Sequence, residues 1–275
     1  MQKFAVFGNP IRHSRSPFIH AAFARQADLD IEYTAELSTK EDFVDDITSF
    51  FANAKTKGCN ITAPFKLQAC RLVNTLSEEA KLAGAVNTIA KLSDGSLAGY
   101  NTDGMGLLSD ITRQGVELGG QSVLVLGAGG AARGVLRALM NQNPESITIT
   151  NRTVAKAKEL IEIAETIKQP VQLEALGFDE IDKRSFDVVI NATSLSLDNQ
   201  IPPISSSVVA DANLVYDMVY ASQPTSFLEW AKGVGAKKIS DGLGMLVGQA
   251  AMSFRIWTDF TPNIQPVIAE LREQL

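Results

Sequence analysis

Two groups of residues in this chain have the types and spacing to do chemistry. The first is the run "LVLGAGGAARG", in which Gly127, Gly129 and Ala132 satisfy a G-x-G-x-x-G/A spacing. The first glycine of such a run makes a tight turn out of a strand. The second lets a pyrophosphate approach the backbone, and the third small residue packs helix on strand. The phosphates, cradled by Gly127, Ala128, Gly129, Gly130 and Ala131, then lie at a helix N-terminus, whose free N–H groups and dipole favour an anion. The next strand, "SITIT", runs into Asn151-Arg152-Thr153, with Lys156 one turn on. In an NAD site that strand usually ends in Asp or Glu, which accepts from the ribose hydroxyls. No carboxylate stands here, and a guanidinium can hold a ribose 2′-phosphate in bidentate fashion. The two stretches together point to NADP. The plainer alternative for Arg152 and Lys156 is a solvated helix start.

The second group is scattered over the first hundred residues. Ser14 and Ser16 in "IRHSRSPF" place two hydroxyls at a helix start, a setting that suits a carboxylate. Ser16 before Pro17 reads equally well as an N-cap. Asn60, Thr62 and Lys66 in "NITAPFK" straddle a proline turn, and Lys66 by itself reads as a surface lysine. Asn87 and the run Asn101-Thr102-Asp103-Gly104 complete the group. Asp103 alone could simply cap the helix that follows.

These residues need elements to hold them. "FAVFG" reads as a buried strand, "GCNIT" as a short one, and "NTIAKLSDGSLAGYN" as a hairpin around Ser93-Asp94-Gly95. Helices are expected after Ser16, over about 40–55, and over "GMGLLSDITRQG" up to Gly115. From about 121 strands alternate with helices: "QSVLVLG", "SITITN", "PVQLEAL", "FDVVINAT", "ANLVYDMVY" and "AKKIS" are the strands. That alternation argues for a doubly wound parallel sheet covered on both faces, an α/β fold. The expected division is an N-terminal α/β substrate domain, 1–103, completed by C-terminal helices over 241–275, and a Rossmann-type nucleotide domain, 104–240.

Composition narrows the function classes. The chain has 275 residues, 45% hydrophobic and 20% charged, with a formal net charge of -6. It carries no basic-aromatic cluster, so nucleic-acid binding is not expected. It has no apolar run of spanning length and no signal-like N-terminus, so no membrane association is expected. Cys59 and Cys70 sit in no metal-ligand pattern and His13 and His20 lack a third ligand nearby, so no metal is expected. A reducing cytoplasm suits such a chain.

Taken in order, "GNPIRHSRSP", "NITAPFK", "AGAVNT", "NTDGMG", "GAGGAARG", "NRT", "INATS", "YDMVY" and "DGLGMLVGQAA" resemble the motifs of the shikimate dehydrogenase family over nearly the whole chain. The resemblance implies reversible, NADPH-dependent reduction of 3-dehydroshikimate to shikimate in aromatic amino acid biosynthesis. It implies a cleft between the two domains as the active site, and a monomer or homodimer. It implies that Ser14 and Ser16 hold the substrate carboxylate. Thr62, Lys66, Asn87, Asp103 and Gln249 would contact the ring hydroxyls, and Tyr220 would add a contact. Lys66 and Asp103 would be the catalytic pair. Gly127 to Ala131 and Asn151 to Lys156 would bind NADP, with Met218 and Gly242 near the nicotinamide and Glu78 in a lesser cofactor role. Lys156 stands where the family usually has Arg, which keeps the charge and loses the bidentate fork. "NATSLSL" lacks the glycine often found two residues after its first serine. Two rival readings are an NAD-preferring quinate/shikimate dehydrogenase, opposed by Arg152, and a catalytically silent nucleotide sensor, opposed by Lys66 and Asp103.

Overall fold

The computed structural model describes residues 1–275. The chain forms two compact units, Met1–Gly106 with Val247–Glu270, and Leu107–Leu246 with Leu271–Leu275. The C-terminal segment that joins the first unit is thus narrower than 241–275.

The first unit is built on a six-stranded sheet in the order β2-β1-β3-β5-β6-β4. Its strands are β1 (Gln2–Gly8), β2 (Ile31–Leu37), β3 (Thr56–Ile61), β4 (Thr75–Leu76), β5 (Thr88–Lys91) and β6 (Leu97–Tyr100). β1 runs parallel to β2 and β3, whereas β5 is antiparallel to β3 and β6. The β5–β6 hairpin turns at Gly95, whose φ of 87° is the left-handed conformation expected of Ser-Asp-Gly. The period of two along β1 divides the core. Ala5 and Phe7 pack with Phe43, Ile47 and Phe51 of α2 (Phe43–Ala52), while Phe4 meets Trp257 on α9 (Leu243–Thr258). α1 (Ser16–Ala27) lies against α9 through Phe23 and Phe254, whose ring centroids are 5.7 Å apart. Ser16 is the first helical residue rather than the cap. Arg15 occupies the N-cap position, with Pro17 just inside, and no side chain caps the helix.

His20, on the inner face of α1, is fully buried and stacks on Tyr33 at 4.3 Å with a 7° interplanar angle. Neither ring nitrogen makes a hydrogen bond of ordinary geometry. Burial lowers its pKa from 6.5 to about 3, and the nearby Asn60 side chain offsets this only in part. The folded state therefore refuses a proton that the unfolded chain accepts below pH 6.5. Stability conferred by neutral His20 is complete above pH 6.5 and lost as pH falls toward about 3, at up to about 1.4 kcal/mol per pH unit. His20→Phe should flatten that acid limb in urea midpoints measured from pH 7 to 4. An unchanged slope would assign the acid sensitivity to other groups.

The second unit has the six-stranded, wholly parallel sheet β9-β8-β7-β10-β11-β12. Its strands are β7 (Ser122–Leu126), β8 (Ser146–Thr150), β9 (Gln172–Leu176), β10 (Val188–Asn191), β11 (Leu214–Asp217) and β12 (Ile239–Asp241). Numbered from β7, the order is that of the doubly wound dinucleotide-binding fold, with its switch point between β7 and β10. Nearly all residues of β7, β10 and β11 are buried, as the central strands of a covered parallel sheet must be. The covering helices include α6 (Gly130–Met140), α7 (Val154–Glu165) and α8 (Ser226–Gly233), and α5 (Asp103–Arg113) leads into the unit. No helix is long and apolar enough to cross a membrane, and no group of three His, Cys, Asp or Glu side chains is placed to hold a metal ion.

Candidate functional site

In the first unit, Lys66 is the first residue of α3 (Lys66–Leu72), just after the turn at Pro64, and Asp103 is the first of α5. The two helix starts bring Lys66 Nζ to 2.7 Å from Asp103 Oδ2. Asn87, from the loop before β5, donates through Nδ2 to the other carboxylate oxygen, Oδ1, at 2.8 Å. Asp103 is therefore held on both oxygens by side chains. It does not cap its helix; its backbone N–H donates to Asn101 Oδ1. Asn87 is fixed in turn, because its Oδ1 accepts from the Thr102 N–H at 3.0 Å and from Thr88 Oγ1 at 2.9 Å.

The network runs further than the motifs suggest. Asn60 donates to Thr88 Oγ1 at 3.1 Å and to Ser253 Oγ at 2.9 Å. Ser253 lies one turn beyond Gln249 on α9 and bonds its carbonyl. Tyr33 donates its hydroxyl to Asn60 Oδ1 at 2.7 Å. Burial pushes the Tyr33 phenol well above its usual value, with Cys59 adding to the shift and the Ser16 hydroxyl opposing it, so the phenol remains a donor. Ser14 accepts from the Ser16 backbone N–H at 3.3 Å. Thr62 packs over Gly8 and donates its N–H to the Phe7 carbonyl. A continuous hydrogen-bonded path of polar groups thus links Tyr33, Asn60, Asn87 and Asp103 to Lys66. Tyr33, Thr88 and Ser253 escaped the sequence reading. A serine one turn from Gln249 in a mostly apolar helix is the signal that marks Ser253.

Glu78 is placed differently from the rest. It is exposed at the first position of α4 (Glu78–Ala83), behind the cap Ser77, and pairs with Lys81 at 2.7 Å. It is not among the residues that line the cavity beside the glycine loop.

In the second unit a cavity of about 740 Å³ opens beside the glycine loop. Gly127 to Ala131 form one wall, Asn151 to Thr153 and Lys156 a second, and Ala192 to Leu195 with Ile201 and Pro203 a third. Gly127 has φ 102°, and a Cβ there would lie 3.1 Å from Thr193 Cγ2, so only glycine suits the turn. Helix α6 starts at Gly130 with Gly129 as an N-cap that offers no side-chain bond, which leaves its first N–H groups for a ligand. Arg152 and Lys156 are exposed, and neither is in an ion pair. The first turn of α7 holds no acid. A glycine cradle, an open helix N-terminus and two uncommitted cations fit a dinucleotide carrying an additional phosphate.

Met218 and Gly242 come together. A Cβ on Gly242 would collide with the Met218 carbonyl, and Gly242 N–H donates to Val219 O at 3.1 Å. Tyr220 follows in the loop after β11. Asp217, at the end of β11, was not read from the sequence as a site residue. It is wholly buried. Burial raises its pKa, while bonds from Ser196, Thr225, Val219 and Asn191 oppose the rise.

Family models cover most of the chain. Residues 6–89 match the shikimate dehydrogenase substrate binding domain, 110–201 the shikimate / quinate 5-dehydrogenase model, and 242–272 the shikimate 5′-dehydrogenase C-terminal domain. A shikimate dehydrogenase (NADP(+)) of Vibrio campbellii is 48% identical over 275 residues, covering 100% of this chain and 98% of that one. Among solved structures, an Ael1 enzyme from Pseudomonas putida matches at a TM-score of 0.93 and 39% identity, covering 98% of each chain. Shikimate 5-dehydrogenase from Thermus thermophilus, in complex with NADP(H) and shikimate, matches at 0.87 and 32% identity, covering 100% of each. The two sheets, the cavity beside the glycine loop and these likenesses agree, and the chain belongs to the shikimate dehydrogenase family.

Proposed function

We propose that this chain reduces 3-dehydroshikimate to shikimate with NADPH, reversibly, in aromatic biosynthesis, and that Lys66 and Asp103 carry the proton chemistry. The observation that supports this most directly is the Lys66 Nζ–Asp103 Oδ2 contact of 2.7 Å, with Asn87 on the second oxygen. NADPH, when bound, supplies a hydride to the ketone carbon. Lys66 Nζ donates a proton to the oxygen that gains charge as the carbonyl is reduced, and recovers it from the hydroxyl in the reverse direction. Asp103 holds the ammonium in place and balances its charge, and Asn87 fixes the carboxylate. Ser14 and Ser16 bind the substrate carboxylate, and Thr62, Asn87, Gln249 and Tyr220 orient its hydroxyls. The uncommitted Arg152 and Lys156 take the 2′-phosphate.

The direct test is shikimate oxidation followed by the absorbance of NADPH, with NAD as the comparison cofactor. Turnover with NADP in clear excess over NAD is expected. A folded protein that binds NADP and turns over no shikimate would instead be a sensor.

The serine pair has its own test. Ser14→Ala and Ser16→Ala should each raise the shikimate KM by about tenfold, the lower end for a lost bond to a charged group. The NADP KM should stay nearly constant. Because Arg15 and not Ser16 holds the cap position, Ser16→Ala carries no capping cost. A drop in melting temperature with unchanged shikimate kinetics would remove the serines from the site.

A further inference from the structure

The loop after β10 is tied to the sheet by one buried carboxylate. Asp217 accepts four hydrogen bonds and meets no cation. Oδ2 accepts from Ser196 Oγ and Thr225 Oγ1, each at 2.6 Å. Oδ1 accepts from the Val219 N–H at 3.1 Å and Asn191 Nδ2 at 3.3 Å. Two donors on each oxygen satisfy an ionised carboxylate without a counter-ion. Two of the four donors, Asn191 and Ser196, flank the Ala192–Leu195 stretch that lines the cavity beside the glycine loop. Asn191 also accepts, on Oδ1, from the Thr193 N–H and Oγ1, and donates to Ser196 Oγ. Ser196 is itself buried, at the second position of the 3₁₀ turn Leu195–Asp198. The strand-end backbone closes the same unit, with Met218 N–H on the Asn191 carbonyl at 3.0 Å. The loop so held supplies the third cavity wall and reaches Gly127 through Thr193.

We infer that Ser196 and Asp217 form a latch that positions the Ala192–Leu195 wall of the cavity, so that Ser196 is a positioning residue for NADP. The inference rests on reading that cavity as the NADP site. Ser196 acts through Asp217 and Asn191 and is not among the residues lining the cavity. Thr225 provides the comparison. It donates to the same oxygen at the same distance, yet it caps α8 through the Leu228 N–H and lies outside the cavity wall.

The experiment compares wild-type protein, Ser196→Ala and Thr225→Ala by NADP titration calorimetry, steady-state kinetics and thermal melting. Ser196→Ala should raise the NADP Kd and KM by about 5- to 20-fold, within what one bond to a charged acceptor can deliver. The shikimate KM at saturating NADP should remain within about twofold, because the substrate residues of the first unit are untouched. Thr225→Ala should lower the melting temperature at least as much and leave the NADP Kd within about twofold of wild type. Equal NADP affinity in wild type and Ser196→Ala would overturn the latch and leave the cofactor site intact. So would an equal loss of affinity in both variants, since the bonds would then serve general stability alone. Wild-type protein that failed to bind NADP would remove the cofactor reading and the latch together.

Discussion

Lys66→Ala is expected to lower kcat by roughly 10²- to 10⁴-fold, the usual worth of a positioned acid-base group. The geometry sets the terms of that loss. Asp103 is the more shielded partner, with 14% of its side chain exposed, while Lys66 keeps 32% and remains reachable. That difference in exposure supports the proposed roles, with Lys66 meeting the substrate oxygen and Asp103 holding the ammonium. Asp103→Asn should lower kcat too, because it replaces the carboxylate that orients the ammonium and disturbs the Asn87 bond. The double variant should lose much less than the product of the single losses, as residues acting as one unit do. Lys66→Arg is the most discriminating change. It keeps a positive charge but cannot release a proton in the working pH range. Retention of most of the wild-type kcat by Lys66→Arg would mean that charge alone suffices, and proton transfer would pass to another group. The NADP KM should hardly move in any of these variants, since Lys66 and Asp103 lie outside the residues that line the cavity.

The second large effect is expected at Arg152. Its guanidinium is exposed at the cavity wall, pairs with no carboxylate, and precedes a helix whose first turn has no acid. A basic residue there opposes the helix dipole unless an anion offsets it. Arg152→Asp should raise the NADP KM by about 10- to 150-fold, the range of a charge-assisted bidentate contact of about 1.5–3 kcal/mol. NAD use should be unchanged or improved, because the new carboxylate can accept from ribose hydroxyls. Lys156→Ala should act in the same direction and more weakly, since an ammonium is a point charge without the fork. An NADP KM within about twofold of wild type for Arg152→Asp would place the 2′-phosphate elsewhere.

Much of the second unit was legible because its signals are local. Its central strands β7, β10 and β11 are short, mostly apolar runs, and burial on both faces makes those runs nearly continuous. The glycine turn and the absence of an acid before Arg152 are likewise readable within a few residues. The first unit was less open. Strand β2 has a mixed burial pattern at the sheet edge, so "IEYTAEL" shows no clean alternation. Helices α3 and α4 have seven and six residues, too few for a periodicity to emerge. The assignment of Ser16 to the cap missed by one position, because Pro17 is tolerated just as well one step further inside α1.

By itself, then, the sequence determined the fold class and the glycine turn after β7, and its ordered motifs marked the family. All of these rest on residues that act with near neighbours. Only the tertiary structure decided which polar side chains meet. Lys66 and Asp103 are 37 positions apart, Asn60 and Ser253 are 193 apart, and Ser196 and Asp217 are 21 apart. Each member of these pairs has a bland local explanation, as a surface lysine, a helix cap or a loop serine. What overrides it is burial, because a polar group removed from water must find its partner wherever the sheet order brings one. Sheet order is set by pairing between strands far apart in the chain, and no window of neighbouring residues encodes it.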